Sequence, residues 1–234
     1  MASKKEPSRL AKYLDASRRL AASVVFVAPL FALYQIGLVF DAGVRTGTAP
    51  ILREFLHRFS HLGLVALNLA LLGLLFLAIW RTRAERLRFR GLYALMFLEA
   101  CLWTGVMLMT AIVLPPAELA LNGVARTLFS YVGAGIYEEV LFRFLLMGGL
   151  ILVLRRGLGG HPAWVVPLAI LASAALFSYA HHQLGLEEFS RGVFLYRALM
   201  GVILGTVFYF RGLGIVVYAH ALYNVVLVAL KHVA

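Results

Sequence analysis

Three one-turn pairs of side chains lie inside otherwise apolar stretches. In YEEVLFR, residues 137–143, Glu139 and Arg143 are four residues apart, with Glu138 beside them. In SAALFSYAHH, residues 173–182, His181 follows Phe177 by four. In GIVVYAHALYN, residues 214–224, Asn224 follows His220 by four. A separation of four returns a side chain to the same face of an α-helix. Glutamate on the N-terminal side of arginine is the favourable order for an ion pair. Such a pair removes much of the cost that either charge alone would carry in low dielectric. Glu138 sits about 100° around the helix from Glu139, so the arginine is poorly placed to serve it. One carboxylate has a local partner and the other is left for a group on another helix.

An unpaired glutamate, two histidines and an asparagine on three separate stretches supply a particular chemistry. The glutamate can act as general base, one imidazole can orient a water, and two further groups can donate to a developing oxyanion. Peptide hydrolysis without a covalent intermediate requires those roles. Each pair alone has a plainer reading. Glu139 with Arg143 can be a structural polar knot, and His220 with Asn224 can bridge membrane helices. A lone His181 can be a satisfied core residue. His182 points to another face and carries no role. Glu99 is a further acidic residue in an apolar stretch, able to reach the interface or pair with a neighbouring helix, and no role is assigned to it.

The elements that must position these residues are membrane helices. Of 234 residues, 62% are hydrophobic, against roughly half in an ordinary soluble domain. The excess falls in blocks of about 20 residues, the length that spans a hydrocarbon core. The expected fold is all-α and polytopic, with seven or eight transmembrane helices around an intramembrane polar cavity. A basic cytoplasmic tail covers 1–21. Three spans follow within 22–114, at about 22–40, 61–80 and 92–114. Four more are expected at about 128–154, 163–181, 198–210 and 213–230. Helices are required because each satisfies its own backbone hydrogen bonds in lipid. On these boundaries His181 lies at the end of its span while Glu138 lies about 15 Å deep. Either a boundary is misplaced or residues 182–197 fold back to membrane depth, and the polar content of that segment favours folding back.

The net charge is +11. The basic residues gather at the ends of the apolar blocks, where they set topology and meet anionic headgroups. Fourteen fall in the segments expected inside and seven in those expected outside, which argues for a cytoplasmic N-terminus. No basic groove interleaved with aromatics is present, so nucleic acid is excluded as a partner. The single cysteine, Cys101, cannot form an internal disulfide. The Arg-, Gly-, Ala- and Leu-rich composition fits a bacterial inner membrane.

The ordered set EExxxR, FxxxH and HxxxN resembles the CPBP family of intramembrane proteases, which includes the type II CAAX prenyl endopeptidases and the bacterial Abi-type proteins. The matching residues are Glu138-Glu139 with Arg143, Phe177 with His181, and His220 with Asn224. The resemblance covers about residues 126–231, which is the expected catalytic membrane domain. It implies an endopeptidase in which Glu138 and His181 activate water and His220 and Asn224 stabilise the oxyanion. Glu139 and Arg143, with Phe177, would hold the site in shape. The family often has a small residue after the arginine, where this chain has Phe144. No cofactor is required on this reading. The alternative is zinc held by Glu138, His181 and His220; the absence of an HExxH motif and the presence of asparagine favour metal-free chemistry. The expected partners are membrane lipids and a protein or peptide substrate with a membrane-associated segment. A non-catalytic scaffold or bacteriocin-immunity-type protein on the same fold is the competing reading. A proton-coupled transporter is a weaker one, since no internal repeat is present.

Overall fold

The computed structural model describes residues 8–40, 60–85, 91–114, 128–183 and 189–233, and every regular element among them is helical. A short helix, α1 (Arg9–Arg18), begins at Ser8, whose side chain accepts from the Ala11 amide, as an N-cap serine should. It meets α2 (Leu20–Phe40) at a bend of 69°. Next come α3 (Ser60–Glu85) and α4 (Leu92–Val113). A continuous rod follows. It starts as α5 (Leu128–Glu138), widens to a π-helix over Glu139–Met147, and returns to an α-helix for Gly148–Leu152. It ends in a second π segment, Val153–Gly157. The last three helices are α6 (Pro162–Gln183), α7 (Arg191–Arg211) and α8 (Leu213–Val233). Proline opens α6, the one helical position where its missing N–H costs nothing.

The all-α fold is as expected, and most boundaries agree to within a few residues. The sixth span, expected at about 198–210 or starting earlier, takes the earlier start: α7 begins at Arg191. That earlier start removes most of the segment expected to fold back, and its remainder at 184–188 lies outside the described residues. The expected polar connections at 41–60 and before Arg126 also fall there, apart from Ser60. The count of candidate spans among the described residues is lower than expected. Among the described residues, three helices are long and apolar enough to cross a membrane, or four if α1 and α2 form one bent span. The expectation was seven. The physical reason lies in composition: the α5 rod carries Glu138, Glu139 and Arg143 in its middle.

Helix α8 is the centre of the bundle and packs against α2, α4, α5 and α7. Its residues Ile215, Val216, Val217, Ala219 and Ala221 are buried. Two close approaches set the site's frame. A Cβ on Gly135 would lie 2.8 Å from the Ala221 backbone, so α5 touches α8 one residue from His220. A Cβ on Gly201 would lie 2.9 Å from Ala174, so α7 touches α6. Small residues at helix contacts let backbones approach in this way. At Gly212 the chain leaves α7 with φ of 84°, the left-handed conformation glycine tolerates, and α8 starts at once.

Candidate active site

The α5 rod, α6 and α8 bring their polar residues to one place. Glu138 faces two imidazoles. His181 Nε2 is 3.7 Å from Glu138 Oε1, and His220 Nε2 is 3.8 Å from Glu138 Oε2. Both distances exceed a direct hydrogen bond, and a polar gap of this width suits a mediating water. The orientation of His181 is fixed from behind. Its Nδ1 lies 2.8 Å from the Phe177 carbonyl. A carbonyl oxygen only accepts, so Nδ1 carries a proton and, in the neutral ring, Nε2 presents a lone pair toward Glu138. A carboxylate and a lone pair facing each other call for a donor between them.

His220 also has its second nitrogen engaged. Its Nδ1 is 2.6 Å from Glu139 Oε1. Glu139 in turn lies 3.2 Å from Arg143 Nε through its other oxygen. That ion pair is close but not aligned as a hydrogen bond, since Glu139 Oε2 and Arg143 Nε make none among the described residues. Arg143 Nη2 donates to the Gly201 carbonyl at 3.4 Å. The guanidinium also sits 4.4 Å from the centre of the Phe177 ring, a cation–π contact. Phe177 touches the His181 ring at 4.7 Å and the Phe142 ring at 5.2 Å, both edge-on. One aromatic ring thus packs against the arginine and both imidazoles, the His220 ring lying 6.2 Å away and edge-on.

Accessibility separates two groups. The side chains of Glu139 and Arg143 are 0% exposed, while Glu138 keeps 6%, His220 7% and His181 14%. Water therefore reaches the second group and not the first. The sequence reading differs at one point: it separates Glu138 and Glu139 onto different faces, whereas the His220 ring touches both. The π-helix over Glu139–Met147 changes the angular step just after Glu138, and π segments recur at functional sites. Asn224 is half-buried one turn beyond His220. It has no direct link to the two glutamates or the two histidines in this arrangement. His182 lies apart, edge-on to Phe189 and stacked on Phe194.

Several positioning groups escape a reading by motif. Ser173 Oγ donates to the Phe142 carbonyl at 2.8 Å, tying α6 to the π segment. Ser178 Oγ donates to the Phe194 carbonyl at 2.8 Å, tying α6 to α7. Thr104 Oγ1 is 3.1 Å from the Ala219 carbonyl, next to His220. Tyr137 OH donates to Asn68 Oδ1 at 3.2 Å, and the Gln35 amide reaches the same oxygen at 2.7 Å. The first three long helices therefore hold the residue preceding Glu138 and the one preceding His220. The charge of Arg197 also acts on Glu138. A serine or threonine inside an apolar helix is the sequence signal that marks such tethers.

Residues 120–226 match the family described as Type II CAAX prenyl endopeptidase Rce1-like. This is the family that the three motifs resemble, and the matched segment holds all of them. At the level of the family, the match supports a CAAX-type intramembrane endopeptidase acting on a protein with a membrane-associated segment. With the apolar helices it supports an integral membrane protein. No curated protein and no solved structure matches the chain. Zinc was the alternative for Glu138, His181 and His220. Among the described residues, no group of three or more His, Cys, Asp or Glu side chains is set as a metal site, and no step is derived through a metal.

Proposed function

We propose that the chain is a glutamate-dependent intramembrane endopeptidase. The observation that carries this is the Glu138 carboxylate, set opposite two imidazoles from two other helices at 3.7 and 3.8 Å. A water between Glu138 and the His181 Nε2 lone pair gives up its proton to the carboxylate and attacks the scissile carbonyl carbon. The developing oxyanion takes hydrogen bonds from His220 Nε2 and Asn224. Because Nδ1 of His220 faces Glu139, donation from Nε2 requires the ring to carry both protons. The tetrahedral intermediate then collapses, and Glu138 passes its proton to the leaving amine. Glu139, Arg143 and Phe177 hold the two imidazoles and do not exchange protons with the substrate.

The N-terminus is cytoplasmic in a bacterial inner membrane on this reading, and the substrate is a protein or peptide whose cleaved bond lies near a membrane-associated segment. The test compares membrane proteomes of cells carrying wild type and Glu138→Gln. Accumulation of an uncleaved precursor in the variant, with the variant present at wild-type level, is expected. Identical proteomes favour the non-catalytic scaffold. Purified protein whose cleavage is lost on chelation and restored by zinc would replace the metal-free route.

A further inference from the structure

Two adjoining cavities lie on the other side of the α5 rod from Glu138. The first has a volume of about 340 Å³ and is enclosed by α2, α3, α8 and the rod. Its walls include Val24, Ala28, Leu74, Phe144 and Val217, and Arg81 is its one residue that is not apolar. The second, about 280 Å³, shares Leu20, Phe144 and Leu213 with the first. It adds Arg18, Ser23 and Tyr209. Ser23 is 0% exposed, and its hydroxyl has no hydrogen-bond partner among the described residues. Arg18 stands at the bend between α1 and α2, where it donates to the Tyr209 carbonyl at 3.3 Å. None of Glu138, Glu139, Arg143, His181 or His220 lines either cavity.

We infer that these joined cavities bind one anionic phospholipid. The apolar walls accept an acyl chain. The guanidiniums of Arg18 and Arg81 meet the phosphate. A peptide fits less well. It would bring an amide donor and a carbonyl acceptor at every residue, and the first cavity offers only Arg81 to meet them. An uncharged isoprenoid would leave the two arginines unanswered. The inference does not depend on catalysis at Glu138, because the two regions share no lining residue.

The test uses the full chain, purified in detergent and loaded with equal amounts of palmitoyl-oleoyl phosphatidylglycerol and phosphatidylcholine. Native mass spectrometry reads the lipid retained. Two arginines at a membrane surface predict a preference of about 30-fold for phosphatidylglycerol. Arg81→Gln should remove most of that preference and Arg81→Lys should keep it. Arg81 is exposed at the end of α3, so neither variant threatens the fold. Ala28→Trp, which fills the first cavity, should lower retention of both lipids. Equal retention of the two lipids by wild type overturns the inference. So does a preference that Arg81→Gln leaves intact, or displacement of the bound lipid by farnesol at equal concentration.

Discussion

Glu99 and Glu138 are both carboxylates within apolar helices, and their surroundings differ in one respect. Glu99 on α4 is saturated. Arg211 grips it with Nε and Nη2 in a two-pronged pair, the Nη2 contact at 2.8 Å, the geometry that makes arginine–carboxylate pairs strong. Tyr13 OH adds a third hydrogen bond at 2.6 Å. Arg211 Nη2 also reaches Ser17 Oγ at 3.0 Å, and its guanidinium lies 5.2 Å from the Tyr13 ring. The result locks α1 to the ends of α4 and α7. Glu138, by contrast, has no direct hydrogen bond among the described residues and faces imidazoles across gaps of 3.7 and 3.8 Å. A saturated carboxylate stabilises a fold. An open one, accessible to water and backed by positioned histidines, is available for proton transfer.

The comparison is broken most sharply by making the same change in both places. Glu138→Gln should lower cleavage by at least about a thousandfold while leaving the melting temperature within a few degrees of wild type. Glu99→Gln should do the reverse. It leaves Arg211 with a weaker acceptor, at a cost of about 2–3 kcal/mol, or about 5–10 °C in melting temperature. Cleavage per folded molecule should then fall by less than about threefold. A peptide-cleavage assay and a thermal melt on the same preparations read both. If the two variants fall on the same line of activity against stability, the distinction between the clusters is wrong.

A second test asks whether the open cluster depends on the approach of α5 to α8. A Cβ at position 135 would sit 2.8 Å from the Ala221 backbone, so Gly135→Ala must push the helices apart by some tenths of an ångström. His220 precedes Ala221, and its 2.6 Å contact with Glu139 should stretch. A displacement of that order should cost about 10- to 100-fold in kcat with a smaller change in KM. Gly105 on α4 is the control, because a Cβ there meets nothing within 4 Å. Gly105→Ala should leave cleavage unchanged and add about 0.5–1 kcal/mol of stability.

The two clusters were unequally legible in the sequence. Glu138, Glu139, Arg143, His181 and His220 sit in local patterns whose spacing is that of one helical turn, so their helices and faces could be read from single stretches. The length of the apolar blocks likewise located α2, α4 and α6. The partners of Glu99 lie 86 and 112 residues away in the chain, and no local pattern announces a pairing across that distance. The π-helix at Glu139 was equally hidden. Every residue of EVLFRFLLM is compatible with an α-helix, and the hydrogen bond from Ser173 to the Phe142 carbonyl within it comes from another helix. His181 comes within 3.7 Å of Glu138 although α6 ends at Gln183, close to where it was expected; separately, the polar Arg191 and Arg197 made the start of α7 look like a loop.

The smallest effect tests how far the site's support extends. Thr104 is buried on α4, and its hydroxyl lies 2.9 Å from the Ala100 carbonyl in its own helix and 3.1 Å from the Ala219 carbonyl in α8. A hydroxyl has one proton, so it divides its donation between the two. Valine has nearly the same shape and no donor. Thr104→Val removes a neutral hydrogen bond worth about 0.5–1.5 kcal/mol, and the Ala219 carbonyl keeps its place in the α8 ladder. Cleavage should fall by less than about threefold, because Glu139 still holds His220. A much larger loss, with the melting temperature nearly unchanged, would mean that α4 sets the angle of His220 directly. The support of the open cluster would then reach beyond the second half of the chain into the helix that carries Glu99, and the two regions could no longer be treated as independent.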